Sequence, residues 1–202
     1  GNIDHRLRNA EFPASEGVRY LGTSIASLSE LQSVLVIGSN LRKDHPLFAQ
    51  RIRQSARKGC QVSSINARND DWAMPVAQCV QAPPAQWVQA LAAIAAAVAT
   101  EKGTTAPVAV AADETSVAIA HSLLNGENKA ILLGNAAAHH AQASSLLALS
   151  QWLADQTGAS FGYLTEAANT VGAQLVGAQP AAGGLHAGQM LGGALKAVVL
   201  LN

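Results

Sequence analysis

"SVLVIGSNLRKDHP", residues 33–46, decides the fold. "SVLVIG" is continuously apolar and β-branched, the pattern of a strand buried on both faces. Gly38 ends it. Asn40, a basic pair and His45-Pro46 then open a helix, with Asp44 or His45 available as its cap and Pro46 suited to its first turn. A buried strand running through a glycine turn into a helix is the first half of a βαβ crossover. In parallel α/β proteins such a turn is also where phosphate-bearing ligands often sit.

Working outward, Phe48, Ile52 and Ala56 recur every four residues and form the inner stripe of the helix, which Gly59 can stop in the left-handed region. "CQVSSIN" (60–66) is a second strand, more alternating and so nearer a sheet edge. Asn69-Asp70-Asp71 and Pro83-Pro84 mark 67–84 as a long loop. An Ala-rich helix from about 85 to 100 ends near Gly103. "PVAVAA" (107–112) reads as a strand, after which Asp113 caps a helix to Leu124 that Asn125-Gly126 stops. "KAILLG" (129–134) is a further strand, followed by a long helix over 138–157 ending at Gly158. "SFGYL" (160–164) reads as a short strand. Residues 165–195 are rich in Gly, Ala and Gln without a clear period, and "KAVVLLN" (196–202) reads as a last strand. At the other end, 1–32 are irregular apart from a short helix at "SLSELQ" (27–32).

Strands alternating with helices imply right-handed crossovers and a parallel sheet covered on both faces. Several predicted strands end in Gly, Asn or Asp: Gly38 with Asn40, Asn66, Asp113, Gly134 with Asn135, and Asn202. In a parallel sheet these collect along the carboxyl edge, where ligands bind in such folds. Gly38, Asn40, Asn66, Gly134 and Asn135 are therefore the candidate binding residues. The chain has no GxGxxG, GxxxxGK[ST] or GxSxG. Backbone freedom at a tight turn is accordingly the first explanation for both glycines.

Charged residues are 13% of the 202, against roughly 25% in typical soluble domains, which implies that part of the surface meets other protein. Residues 1–68 hold ten basic and five acidic residues, a balance of +5, and the remainder is −5. The basic residues lie mostly on one helix (Arg51, Arg53, Arg57, Lys58) with no interleaved aromatics. That is a solvated face or protein interface rather than a nucleic-acid face. Two separated cysteines, Cys60 and Cys79, make no disulfide framework and suit a reducing compartment. No signal peptide is visible. The longest apolar run, "ALAAIAAAVA" (90–99), is about half the roughly 20 residues a membrane span needs. The chain opens at Gly1 without an initiator Met, so a piece of a longer protein is expected.

Metal and acid–base chemistry find little support. His139-His140 are adjacent on the predicted helix, about 100° apart, and cannot chelate one ion as an i, i+4 pair could. His5, His121 and His186 have no ligand-like spacing. Asp70-Asp71 falls in a loop, and Asp113-Glu114 is accounted for by capping. Gly184, Gly188 and Gly192 have GxxxG spacing, but His186 and Gln189 interrupt it, which favours a small-residue contact or flexible segment.

Three stretches go further: "NIDHRLRNAEF" (2–12), "VLVIGSNLRKDHPLFAQRIRQSARKG" (34–59) and "ILLGNAAAHHAQASSLLALSQWLADQTGASFGYLTEAANTVGA" (131–173). Together, and in this order, they resemble the large iron–sulfur subunit of the bacterial proton-pumping NADH:quinone oxidoreductases, respiratory complex I. The C-terminal region of that subunit is similar to molybdopterin oxidoreductases such as formate dehydrogenases. The resemblance implies a Rossmann-like domain over 33–164, with 1–32 as lead-in and 165–202 leading into the next part of a longer subunit. It implies iron–sulfur clusters upstream of Gly1 and no cofactor in this piece. It also implies partners within the same subunit and among the neighbouring peripheral-arm subunits, on the cytoplasmic side of the inner membrane, with no nucleic acid and no membrane insertion.

The resemblance bears on activity as well. Active molybdopterin enzymes have an N-x-D-like motif followed by the Cys, selenocysteine or Ser that ligates the metal. Here "NIDHRLRNA" runs through Asn9 and Ala10, and neither supplies a thiolate. The family's G-x-N-P-x-x-x-H-P-like turn keeps Gly38, Asn40, His45 and Pro46 but has Leu41 for the first Pro. Its Asp-Pro-Arg turn after the second strand is Asn66-Ala67-Arg68. Together these departures imply a cofactor fold that has lost its cofactor. An active molybdopterin oxidoreductase domain and an independent nucleotide-binding enzyme using the Gly38 and Gly134 turns are the alternatives.

Overall fold

A computed structural model of the chain describes residues 19–180 and 183–199. The run at 33–37 folds as β1 (Ser33–Ile37), and all five of its residues are buried, as a central parallel strand requires. It pairs with β2 (Gln61–Asn66) on one side and β4 (Lys129–Leu133) on the other. With β3 (Gln78–Gln81) and β5 (Ser160–Tyr163) the sheet is fully parallel, in the order β3-β2-β1-β4-β5. The α/β class expected from the sequence is thus the class observed.

The helices follow their caps. A one-turn α1 (Leu41–Asp44) begins at Asn40, whose side chain accepts from the Lys43 backbone N–H. α2 (Pro46–Arg57) has Pro in its first turn and buries Ala49, Ile52 and Ala56. α3 (Trp87–Lys102) is apolar nearly all round and packs against both α4 (Glu114–Leu124) and α6 (Ala143–Thr157). Asp113 caps α4 by accepting from the Ser116 N–H at 2.7 Å. A short α5 (Asn135–Ala138) precedes α6, which ends at Gly158 in the left-handed region. α7 (Thr170–Leu175) and α8 (Ala187–Gln189) follow, the latter continued by a π turn over Met190–Ala194. Among the described residues no helix is long and apolar enough to cross a membrane.

Alternation along the strands sends side chains to two cores. Leu35, Ile37, Ile131 and Leu133 meet α3, α4 and α6 on one face. Val34, Val36, Ala130 and Leu132 meet Leu41, Ile52 and Trp72 on the other.

Four expectations need correction. "PVAVAA" (107–112) is not a strand: it lies outside the sheet with Val108 exposed, and only Val110 packs against the core, so the run lacks the buried face that holds a strand in place. That edge strand falls within the stretch read as loop; four residues, none of them fully buried, carry too little apolar signal to stand out. The helix read over 138–157 begins at Ala143, and His139-His140 lie in the bend before it. There the His140 ring accepts from the Gln142 N–H and bonds the Pro84 carbonyl, holding the chain out of helix. Residues 196–199 are exposed and form no strand, while 200–202, with Asn202, lie outside the described residues.

Candidate functional site

The order of the strands reverses between β1 and β4: the chain runs outward from β1 to β2 and β3, then returns to β4 and β5 on the other side. The turns that leave β1 and β4 therefore diverge at their carboxyl ends, the position where open α/β sheets form a crevice. A crevice of about 250 Å³ lies there, lined among others by Gly38, Asn40, Asn66, Arg68, Trp87 and Asn135. Four of the five residues singled out from the sequence meet in it. The fifth, Gly134, is packed against Gly38 and Ser39 at its edge. Asp113 stands elsewhere, as the cap of α4, because the segment before it is not a strand.

The two glycines are required by contact between the turns. Gly38 has φ +66°, and a Cβ there would come within 2.6 Å of the Ala137 amide nitrogen and 2.8 Å of the Trp87 ring. A Cβ on Gly134 would lie 2.4 Å from that of Ser39 and 2.5 Å from the Gly38 carbonyl oxygen. Hydrogen bonds close the same gap: the Gly134 N–H donates to Ile37 O at 2.7 Å and the Ala136 N–H to Gly38 O at 3.0 Å.

Most polar side chains of the crevice are committed to neighbouring groups. The Asp44 carboxylate accepts from the Asn40 backbone N–H at 2.9 Å and the Ser39 hydroxyl at 3.0 Å. Asp44 thus serves the turn before α1 rather than capping α2. His45, at the head of α2, makes no side-chain cap; it stacks on Phe48 at 5.6 Å with its Nε2 buried and unpartnered. Burial lowers the His45 pKa, against the opposing pull of Asp44. Asn66, nearly fully buried, donates its side-chain N–H to Ser39 O at 3.0 Å, tying the β2 turn to the β1 turn. Trp87 donates its indole N–H to Ala82 O and stacks on His140.

The acidic pair in the following loop is likewise taken up. Asp70 pairs with Arg68 at 3.2 Å and Asp71 with Arg42. The Ala73 backbone N–H, and then Arg42, hold the Asp71 carboxyl below its ordinary range. A phosphate-bearing cofactor needs free N–H donors and uncommitted cations. This crevice offers one cation, Arg68, already paired, beside two carboxylates, and its Asn40 N–H is bound by Asp44. Two carboxylates against one paired cation disfavour such an anion here. Nor do any three His, Cys, Asp or Glu side chains cluster to hold a metal among the described residues. Asn9 and Ala10, where the resemblance puts the metal-ligand position, lie outside them.

The turn residues of this site are readable in the sequence; the groups that occupy them are not. Asp44 is legible in principle, four residues past Asn40 and so able to reach back over one helical turn. Trp87 carries no such signal, since it enters from a helix whose placement depends on the whole crossover.

No curated protein matches the chain. A family model does, over residues 1–202, and its description is molybdopterin oxidoreductase. With the parallel sheet and the crevice at its switch point, this match places the chain in the molybdopterin oxidoreductase family.

Proposed function

We propose that this chain is a non-catalytic structural domain of the large iron–sulfur subunit of a proton-pumping NADH:quinone oxidoreductase. The observation that carries the reading is the self-closed crevice: Asp44 and Asp70 occupy the Asn40 N–H and the Arg68 guanidinium that an anionic cofactor would use, and Asn66 spends its own side-chain N–H on Ser39 O. The three stretches quoted above and the low charge support the assignment. In this reading Gly38, Asn40, Asn66, Gly134 and Asn135 are the wall of a vestigial site. The domain buttresses the part of the subunit that carries electrons through iron–sulfur clusters toward quinone. It faces other regions of that subunit and neighbouring peripheral-arm subunits, on the cytoplasmic side of the inner membrane.

Metal and pterin analysis of the purified full-length protein tests this. The expected result is iron and sulfide from the upstream clusters with molybdenum, tungsten and oxidised pterin far below one per chain. Stoichiometric molybdenum or pterin would overturn it and favour the second reading, an active molybdopterin oxidoreductase domain. The family match and the Arg68 at the crevice support that alternative.

A further inference from the structure

A second cavity, of about 340 Å³, opens at the opposite, amino end of the sheet. Three glutamines enter it from consecutive strands: Gln32 just ahead of β1, Gln61 at the start of β2 and Gln78 at the start of β3. Asn125 and His121, from the C-terminal end of α4, face them. Ser63, only 1% exposed, completes the wall, and its hydroxyl has no hydrogen-bond partner. A buried hydroxyl left unpaired is costly, so a polar group from outside the chain is the natural partner for it.

The donors and acceptors here are complementary. Gln32 spends its carbonyl oxygen on the Glu127 and Asn128 N–H groups, at 2.6 and 3.1 Å, and keeps its NH₂ uncommitted. Gln61 spends its NH₂ on Gly59 O at 3.1 Å and keeps its carbonyl oxygen. Their backbones are neighbours, since the Gln61 N–H donates to Gln32 O at 2.9 Å, and both side chains line the cavity. The cavity wall thus offers one uncommitted amide donor and one uncommitted amide acceptor, the two kinds of group that an amide or nucleobase edge can pair with. Apart from the titratable His121, no lining residue carries a charge. The carbonyl end of α4 adds a negative dipole, which disfavours anions.

We propose that this amino-end cavity binds an uncharged planar molecule with adjacent donor and acceptor groups, of the nucleobase class. The site is separate from the carboxyl-edge crevice and does not depend on what that crevice holds.

Titration calorimetry of the full chain with adenosine, guanosine, cytidine and uridine tests it, alongside the corresponding 5′-monophosphates. The expected result is saturable, submillimolar binding of at least one nucleoside. It should weaken tenfold or more in Gln61→Ala and in Ser63→Ala, with the monophosphate binding no tighter than the nucleoside. Circular dichroism of each variant checks folding, and Gln78→Ala, on the edge strand, serves if Ser63→Ala misfolds. Absence of binding to all four nucleosides up to ~5 mM, which corresponds to only about 3 kcal/mol of affinity, would overturn the proposal. Tighter binding of a monophosphate, or binding indifferent to every variant, would also overturn it.

Discussion

Gly38 has no room for a side chain, and that fact separates the structural from the binding explanation of the "VIGSN" turn. Its φ of +66° disfavours any L residue, and the Ala137 amide would lie inside contact distance of a Cβ. Gly103, at φ +65°, shares the conformation but faces open space. Gly103→Ala should therefore cost about 1–2 kcal/mol, the left-handed penalty alone. Gly38→Ala should cost clearly more, about 3 kcal/mol or above, because displaced backbone adds to that penalty. Urea midpoints of the two variants check this; equal shifts would contradict it. Asp113 supplies a pH handle. The Ser116 N–H holds its carboxyl below the ordinary range in the folded chain. The folded state thus binds this proton more weakly than the unfolded one. The stability it contributes is complete above the unfolded pKa of about 4 and fades as pH falls through the folded value. Asp113→Asn keeps the cap but removes the titration. Its midpoint relative to the parent should rise between pH 6 and pH 3, and a constant difference would exclude the linkage.

At the level of elements, legibility follows burial. β1 and β4 announce themselves because both faces of a central strand must be apolar, and after their first residues "VLVI" and "AILL" are. β3 does not, since an edge strand of four partly exposed residues owes its existence to its pairing with β2 rather than to its composition. "PVAVAA" errs in the other direction: β-branched residues favour a strand only where they pack on a half-buried pleated surface, and most of this run is exposed. Likewise the bend before α6 is held by His140 reaching Pro84, a contact between segments far apart in sequence. At the site, the turn positions are legible because glycine and asparagine mark strand ends. Their commitment to Asp44 and to one another is not, because it needs the turns side by side. Helix α6 carries a further consequence. Ser150 is fully buried and its hydroxyl has no partner among the described residues. Ser150→Ala removes a desolvation penalty and should raise stability by up to about 1 kcal/mol. A lower thermal midpoint would show that the hydroxyl is paired in solution.

Across the whole molecule, charge is sparse and apolar side chains stand exposed toward one end of the chain: Leu175 and Val176 after the last strand, then Leu191, Val198 and Val199, the last 85% exposed. Exposed apolar surface of this kind drives association. In isolation the chain should therefore scatter light in a concentration-dependent way, and Leu191→Ser with Val199→Ser should suppress that scattering without shifting the unfolding midpoint. Unchanged scattering would acquit these residues. The joined turns at the head of β1 and β4 have a different consequence, one of timing. Ser33 pairs with Lys129, across nearly half the chain. Until β4 leaves the ribosome, β1 has one unpaired edge and an uncovered run of Val34 to Ile37. The nascent chain thus carries an aggregation-prone strand for as long as the intervening residues take to make. One of the two pairings at the centre of the sheet closes late, and the interval before it closes is when this domain most needs a chaperone.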